Sequence, residues 1–128
     1  MAVETVKLEF DSNYQGQMEV KNGVIPIGKE AFLPYNLLFG ALGSCLYYTF
    51  MDIVIKKRLT FEKVNLEISG VKRQTVPTTL EEVNIKFIIK GASDQKQFEK
   101  SVKLAEEYCS IHATIAKVAK INVELSFE

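Results

Sequence analysis

The chain has 128 residues, with sixteen basic side chains balancing sixteen acidic ones and an apolar share of 47%. That length suits one domain with its own core and excludes two of ordinary size, so a single domain over residues 1–128 is expected. The cancelled charge leaves no basic surplus to attract nucleic acid or an anionic membrane, and neither is expected as a partner.

The chain opens Met1-Ala2-Val3-Glu4-Thr5, without the basic start, apolar stretch and small-residue site of a secretory signal, so a cytoplasmic location is expected. Val6, Leu8 and Phe10 alternate with Lys7 and Glu9, and Met18 and Val20 alternate with Gln17, Glu19 and Lys21. This two-residue period predicts half-buried strands. Asn22-Gly23 predicts a tight turn with positive φ angles, which folds Val24 to Ile27 back on the preceding strand with Pro26 near an edge.

Pro34 fits the first turn of a helix, where its missing N–H would have no partner. No further proline occurs before Arg58, and Leu37, Ala41, Ser44, Tyr48, Met51 and Ile55 recur at helical spacing. The face carrying Leu38, Leu42, Cys45, Thr49 and Ile53 is nearly as apolar, so a long buried helix with cover on both sides is predicted. One small sheet covers one side only, which implies a second sheet or a second subunit. The small residues Gly40, Ala41, Gly43 and Ser44 admit a close neighbour, either a strand or the same helix of another copy. Leu37 to Ile55 approaches the length of a bilayer crossing, but Asp52, two glycines and the alternating strands on either side favour a core helix.

Val64, Leu66 and Ile68, then Val83, Ile85, Phe87 and Ile89, predict two longer strands joined by an exposed connection from Arg73 to Thr79 around Pro77. Asp94 and Gln97 form a capping box for a second helix. On it Phe98, Val102, Ala105, Cys109, His112 and Ala116 make one stripe, with a break predicted near Ser110. Ile121, Val123, Leu125 and Phe127 end the chain as a strand. The fold class is α+β, in the order β-β-β-α-β-β-α-β.

Two cysteines and one histidine are too few for a structural metal site in one chain, and no cofactor motif occurs, so neither metal nor cofactor is expected. Cys45 and Cys109 are not a C-x-x-C pair. They are either small buried hydrophobes or two halves of one thiol site assembled by folding. His112, one turn beyond Cys109, is either a satisfied core histidine or a base toward one of the sulfurs.

The run Pro34-Tyr35-Asn36-Leu37-Leu38-Phe39-Gly40-Ala41-Leu42-Gly43-Ser44-Cys45 resembles the first cysteine helix of the OsmC/Ohr family of thiol-dependent hydroperoxide reductases. Ala105-Glu106-Glu107-Tyr108-Cys109-Ser110-Ile111-His112-Ala113 resembles its second cysteine motif. Both occur in order, and the strand order matches along essentially the whole chain. The resemblance implies an OsmC-like fold and an intertwined homodimer with active sites at the subunit boundary. It also implies that Cys45 attacks an organic hydroperoxide, that Cys109 captures the oxidised sulfur as a disulfide, and that an external dithiol reductant restores both. Phe39, Leu42 and Phe50 would line an apolar substrate pocket, with Tyr35 and His112 as auxiliaries.

Two departures stand against this. The family's peroxidases surround the reactive sulfur with an N-terminal arginine and a glutamate after the helix proline. Here Tyr35 occupies the glutamate position, and no arginine precedes Arg58. Thirteen helical residues span about 20 Å, so Arg58 cannot serve the sulfur of its own chain along that helix. Cys45 therefore needs another activator. The alternative function is a binding or regulatory member of the same fold, inactive as a peroxidase and holding an apolar ligand at the dimer interface.

Overall fold

The computed structural model describes residues 1–128. They fall into two compact units, Met1–Leu38 and Phe39–Glu128. In the first, β1 (Lys7–Phe10), β2 (Gly16–Val20) and β3 (Gly23–Ile27) form an antiparallel meander with β3 at one edge, where Pro26 costs the ladder nothing. The β2–β3 turn differs from the expected one. Val20 pairs with Gly23, so Lys21 and Asn22 are its central residues, and neither they nor Gly23 has positive φ. The left-handed residue is instead Tyr14 (φ 62°), in the β1–β2 turn, where the Asp11 carboxylate accepts the N–H groups of Asn13 and Gln15 at 2.7 and 3.1 Å. The unit ends in the first turn of the long helix α1 (Pro34–Lys56), with Asn36 Oδ1 accepting the Leu33 N–H at 2.9 Å.

The second unit is two-layered. Its sheet comprises β4 (Lys63–Lys72), β5 (Leu80–Lys90) and β6 (Lys120–Phe127), with β4 antiparallel and β6 parallel to the central β5. The parallel pair requires a crossover, supplied by α2 (Gln95–Tyr108) and α3 (Ser110–Ala116). Val83, Ile85, Phe87 and Ile89 point inward from β5 and are fully or almost fully buried, while Asn84 and Lys86 face out.

Against this sheet α1 buries the stripe Leu42, Leu46, Phe50 and Val54. Phe50 is the hub: its ring lies 5.0 Å from that of Phe87, 5.8 Å from Phe61 and 5.9 Å from Phe98. Gly43 is small because β4 passes over it; a Cβ there would come within 2.9 Å of Ile68 Cδ1. Gly40 has open space, and on its side of the helix Tyr48 and Ile55 remain 68% and 65% exposed. One apolar face of α1 is thus covered and the other is not. By length and composition α1 could cross a membrane, but a stripe committed to a sheet is the mark of a core helix.

Arg58 ends α1 in the left-handed region (φ 57°). Its N–H reaches Ile55 O and the Leu59 N–H reaches Val54 O, each at 3.0 Å, the pattern of a Schellman cap that favours glycine. Arg58→Gly is expected to stabilise the chain by about 0.5–1 kcal/mol by removing the Cβ penalty. The check is a urea melt in which the midpoint rises at constant slope; an unchanged midpoint would contradict it. Arg73, in the β4–β5 connection, is a clasp. Its guanidinium donates to Leu80 O, to Thr79 Oγ1 at 3.1 Å and to Val118 O at 3.0 Å, tying the β4–β5 connection to the turn before β6.

Candidate active site

The stripe predicted on the second helix holds through Phe98, Val102, Ala105 and Cys109, all buried, and then fails. His112 is only partly buried and Ala116 is exposed, with Ile115 buried instead. The reason is a real break: Cys109 has extended backbone (φ −70°, ψ 116°) and is both the last cap of α2 and the first cap of α3. Its N–H still bonds Ala105 O at 2.9 Å, and its carbonyl accepts Ala113 N–H at 3.0 Å.

A new helix start exposes N–H groups that need acceptors. Here sulfur supplies them. Cys109 Sγ accepts the His112 N–H at 3.4 Å, and Cys45, halfway along α1, accepts hydrogen bonds from the backbone of Ser110 and Ile111. Ser110 Oγ adds a contact to Cys45 Sγ at 3.9 Å. Cys109 caps the helix whose first residue, Ser110, meets Cys45, and each free thiol shifts the acidity of the other, so folding brings the two cysteines into one site.

The environment separates their acidities. Burial pushes the Cys45 thiol up, but the Ile111 N–H, the Cys109 thiol and the Ser110 hydroxyl and N–H together outweigh it and hold the group below its ordinary value. All these donors are neutral, and they come from Cys109 and the first turn of α3. Cys109 moves the other way: burial raises its thiol, as does donation to a neighbouring thiolate, against a lowering bond from the His112 N–H. Cys45 is therefore the more acidic thiol of the two.

His112, three residues beyond Cys109, has its imidazole depressed by burial. Its Nε2 is buried without a hydrogen-bond partner, 3.8 Å from Glu106 Oε1. Burial raises the Glu106 carboxyl, with Lys103 opposing. Of the expected pocket residues, Leu42 and Phe50 are fully buried in their own chain, and Phe39 is half-buried against β4 at Gly70. Tyr35 lies in the first unit, in the first turn of α1. Sequence reasoning missed Ser110, Ile111 and Glu106, although the predicted break beside Ser110 was the available signal.

Residues 27–124 match the family described as OsmC-like protein, a span that includes both cysteines. The chain belongs to that family. This OsmC-like chain is 31% identical to a hypothetical protein from Aquifex aeolicus VF5, with 100% of this chain and 99% of that one covered and a TM-score of 0.86. It shares its fold with an OsmC-like protein from Mycoplasma pneumoniae (18% identity, 98% and 97% covered, TM-score 0.87). The fold also matches a Legionella pneumophila organic hydroperoxide resistance protein OsmC, described as a predicted redox protein (17% identity, 98% of each chain, TM-score 0.77). Among curated proteins, none matches.

Proposed function

We propose that this OsmC-like chain reduces organic hydroperoxides through Cys45 and Cys109. The observation that carries the reading is that folding sets Cys45 against the start of α3, with Ser110 Oγ 3.9 Å from its sulfur and Cys109 as the cap of that helix; the donors there outweigh burial at Cys45, while burial outweighs them at Cys109. The Cys45 thiolate attacks the terminal peroxide oxygen; the O–O bond breaks, an alkoxide leaves and takes a proton, and Cys45 becomes a sulfenic acid. Cys109 then attacks that sulfur, a disulfide forms and water leaves. An external dithiol reduces the disulfide and is itself oxidised.

The family match runs across the boundary between the two units, which supports reading residues 1–128 as one OsmC-like domain. The uncovered apolar side of α1 supports a homodimer, in which a second copy would bury Tyr48 and Ile55. Phe39 is the one of the three expected pocket residues with surface to offer a substrate; Leu42 and Phe50 support the site from beneath. The cleft reaching Glu106, about 280 Å³, is walled by Glu99 and Lys103 as well as Val102, Val123 and Leu125.

The test is stoichiometric. Reduced protein without added dithiol should consume one equivalent of cumene hydroperoxide per chain, lose both thiols and gain one Cys45–Cys109 disulfide by peptide mapping. Thiols that survive a tenfold excess of hydroperoxide would end the proposal.

A further inference from the structure

Once Cys45 has been oxidised, Cys109 can attack only after losing a proton. Yet Cys109 is fully buried, out of direct reach of water. A proton acceptor must be close.

The titratable groups around this thiol are few. On α2 they are Glu99, Lys103, Glu106, Glu107 and the phenol of Tyr108; α3 carries His112 alone, and of the α1 groups Cys45, Tyr47, Tyr48 and Asp52 only Cys45 acts on the Cys109 thiol. From β6 the neighbouring cleft receives only Val123 and Leu125. Lys103 is cationic and accepts nothing. Glu99 lies ten residues before Cys109, about 15 Å along the helix axis, and Glu107 and Tyr108 are exposed. Glu106 and His112 are different: they stand three residues before and three after Cys109, in the last turn of α2 and the first turn of α3. The third position after a helix cap is the one from which a side chain folds back over the cap. His112 does so, bringing Nε2 to 3.8 Å from Glu106 Oε1 across the joint that Cys109 forms. That nitrogen is buried and has no hydrogen-bond partner.

We infer that His112 and Glu106 form a proton-accepting pair closed over Cys109, which takes the thiol proton when Cys109 attacks an oxidised Cys45. This inference rests on the thiol-pair reading above. The 3.8 Å gap is too long for a hydrogen bond, and proton uptake by the imidazole turns it into a charge-assisted contact with the carboxylate. Burial keeps the imidazole neutral and able to accept near neutrality. Glu106, 26% exposed and bordering the polar cleft, then passes the proton to water. His112 also donates its backbone N–H to Cys109 Sγ, so the residue that receives the proton also orients the sulfur.

The experiment needs no peroxide. With the aromatic disulfide DTNB, the Cys45 thiolate displaces one thionitrobenzoate and becomes a mixed disulfide. Cys109 then attacks the Cys45 sulfur, the second thionitrobenzoate leaves with the bonding electron pair, and the Cys109 proton goes to the His112–Glu106 pair. In His112→Gln the first release should stay within about twofold of native, while the second slows by about 10²-fold at neutral pH, the size of a general-base contribution. The native second release should already be level at pH 7. In His112→Gln it should climb about tenfold per pH unit toward the thiol range, as specific-base chemistry does. Glu106→Gln keeps the imidazole but removes its counter-charge, so its second release should keep a pH limb displaced to lower pH. Should His112→Gln fail to fold, that displacement carries the test. A second release in both variants with native rate and native pH limb overturns the inference. A native chain that releases only one equivalent fails the thiol pair itself, a different result.

Discussion

Cys45→Ser is expected to reduce dithiol-supported consumption of cumene hydroperoxide by at least about 10³-fold, because a hydroxyl in place of the thiolate removes the only nucleophile that the site activates. Cys109→Ser is expected to behave differently. Its Cys45 keeps the Ser110 and Ile111 donors, so the first attack on peroxide should proceed. With no second thiol to capture the sulfenic acid, excess hydroperoxide should carry Cys45 to sulfinic acid and stop the chain after about one turnover. Intact-mass measurement on the two variants separates the roles: two added oxygens on Cys45 in Cys109→Ser, and none on Cys109 in Cys45→Ser. Equal over-oxidation of either lone cysteine would remove the distinction between attacking and capturing thiol.

Phe50→Ala is expected to cost about 3–5 kcal/mol of stability, since it removes a fully buried ring that contacts Phe61, Phe87 and Phe98 at once. For a domain whose whole stability is of order 5–15 kcal/mol, that is a large share. Urea unfolding should show the midpoint falling steeply, while DTNB reactivity of Cys45 in the folded fraction stays near native. A variant with native stability and altered preference among hydroperoxides would return Phe50 to the substrate pocket, where the sequence alone had placed it.

Those two predictions mark how far the residues could be read. Alternation in β4 and β5, Pro34 at a helix start and Asp94 at a cap are local signals; the Asp94 carboxylate indeed accepts the Gln97 N–H at 3.1 Å. Each depends on neighbours within a few positions, and so each was legible. The β2–β3 turn was misplaced by one residue because Asn-Gly can sit either in a turn or beside it, and strand pairing chose. Periodicity carries the helical stripe on to His112 and Ala116, because it does not register a cap residue at Cys109. Phe39, Leu42 and Phe50 all look like pocket residues on one apolar helix; only packing against β4 and β5 sorted buried from half-exposed.

By itself the sequence determined the element order, the pair of cysteine motifs and the absence of an N-terminal arginine. The tertiary structure alone decided which groups meet Cys45. Cys45 and the α3 start lie 65 residues apart, and backbone N–H groups have no side-chain signature, so their convergence on one sulfur follows from the α2–α3 crossover rather than from any local pattern. The same holds for Glu106 and His112, which meet because the chain stops being one helix between them.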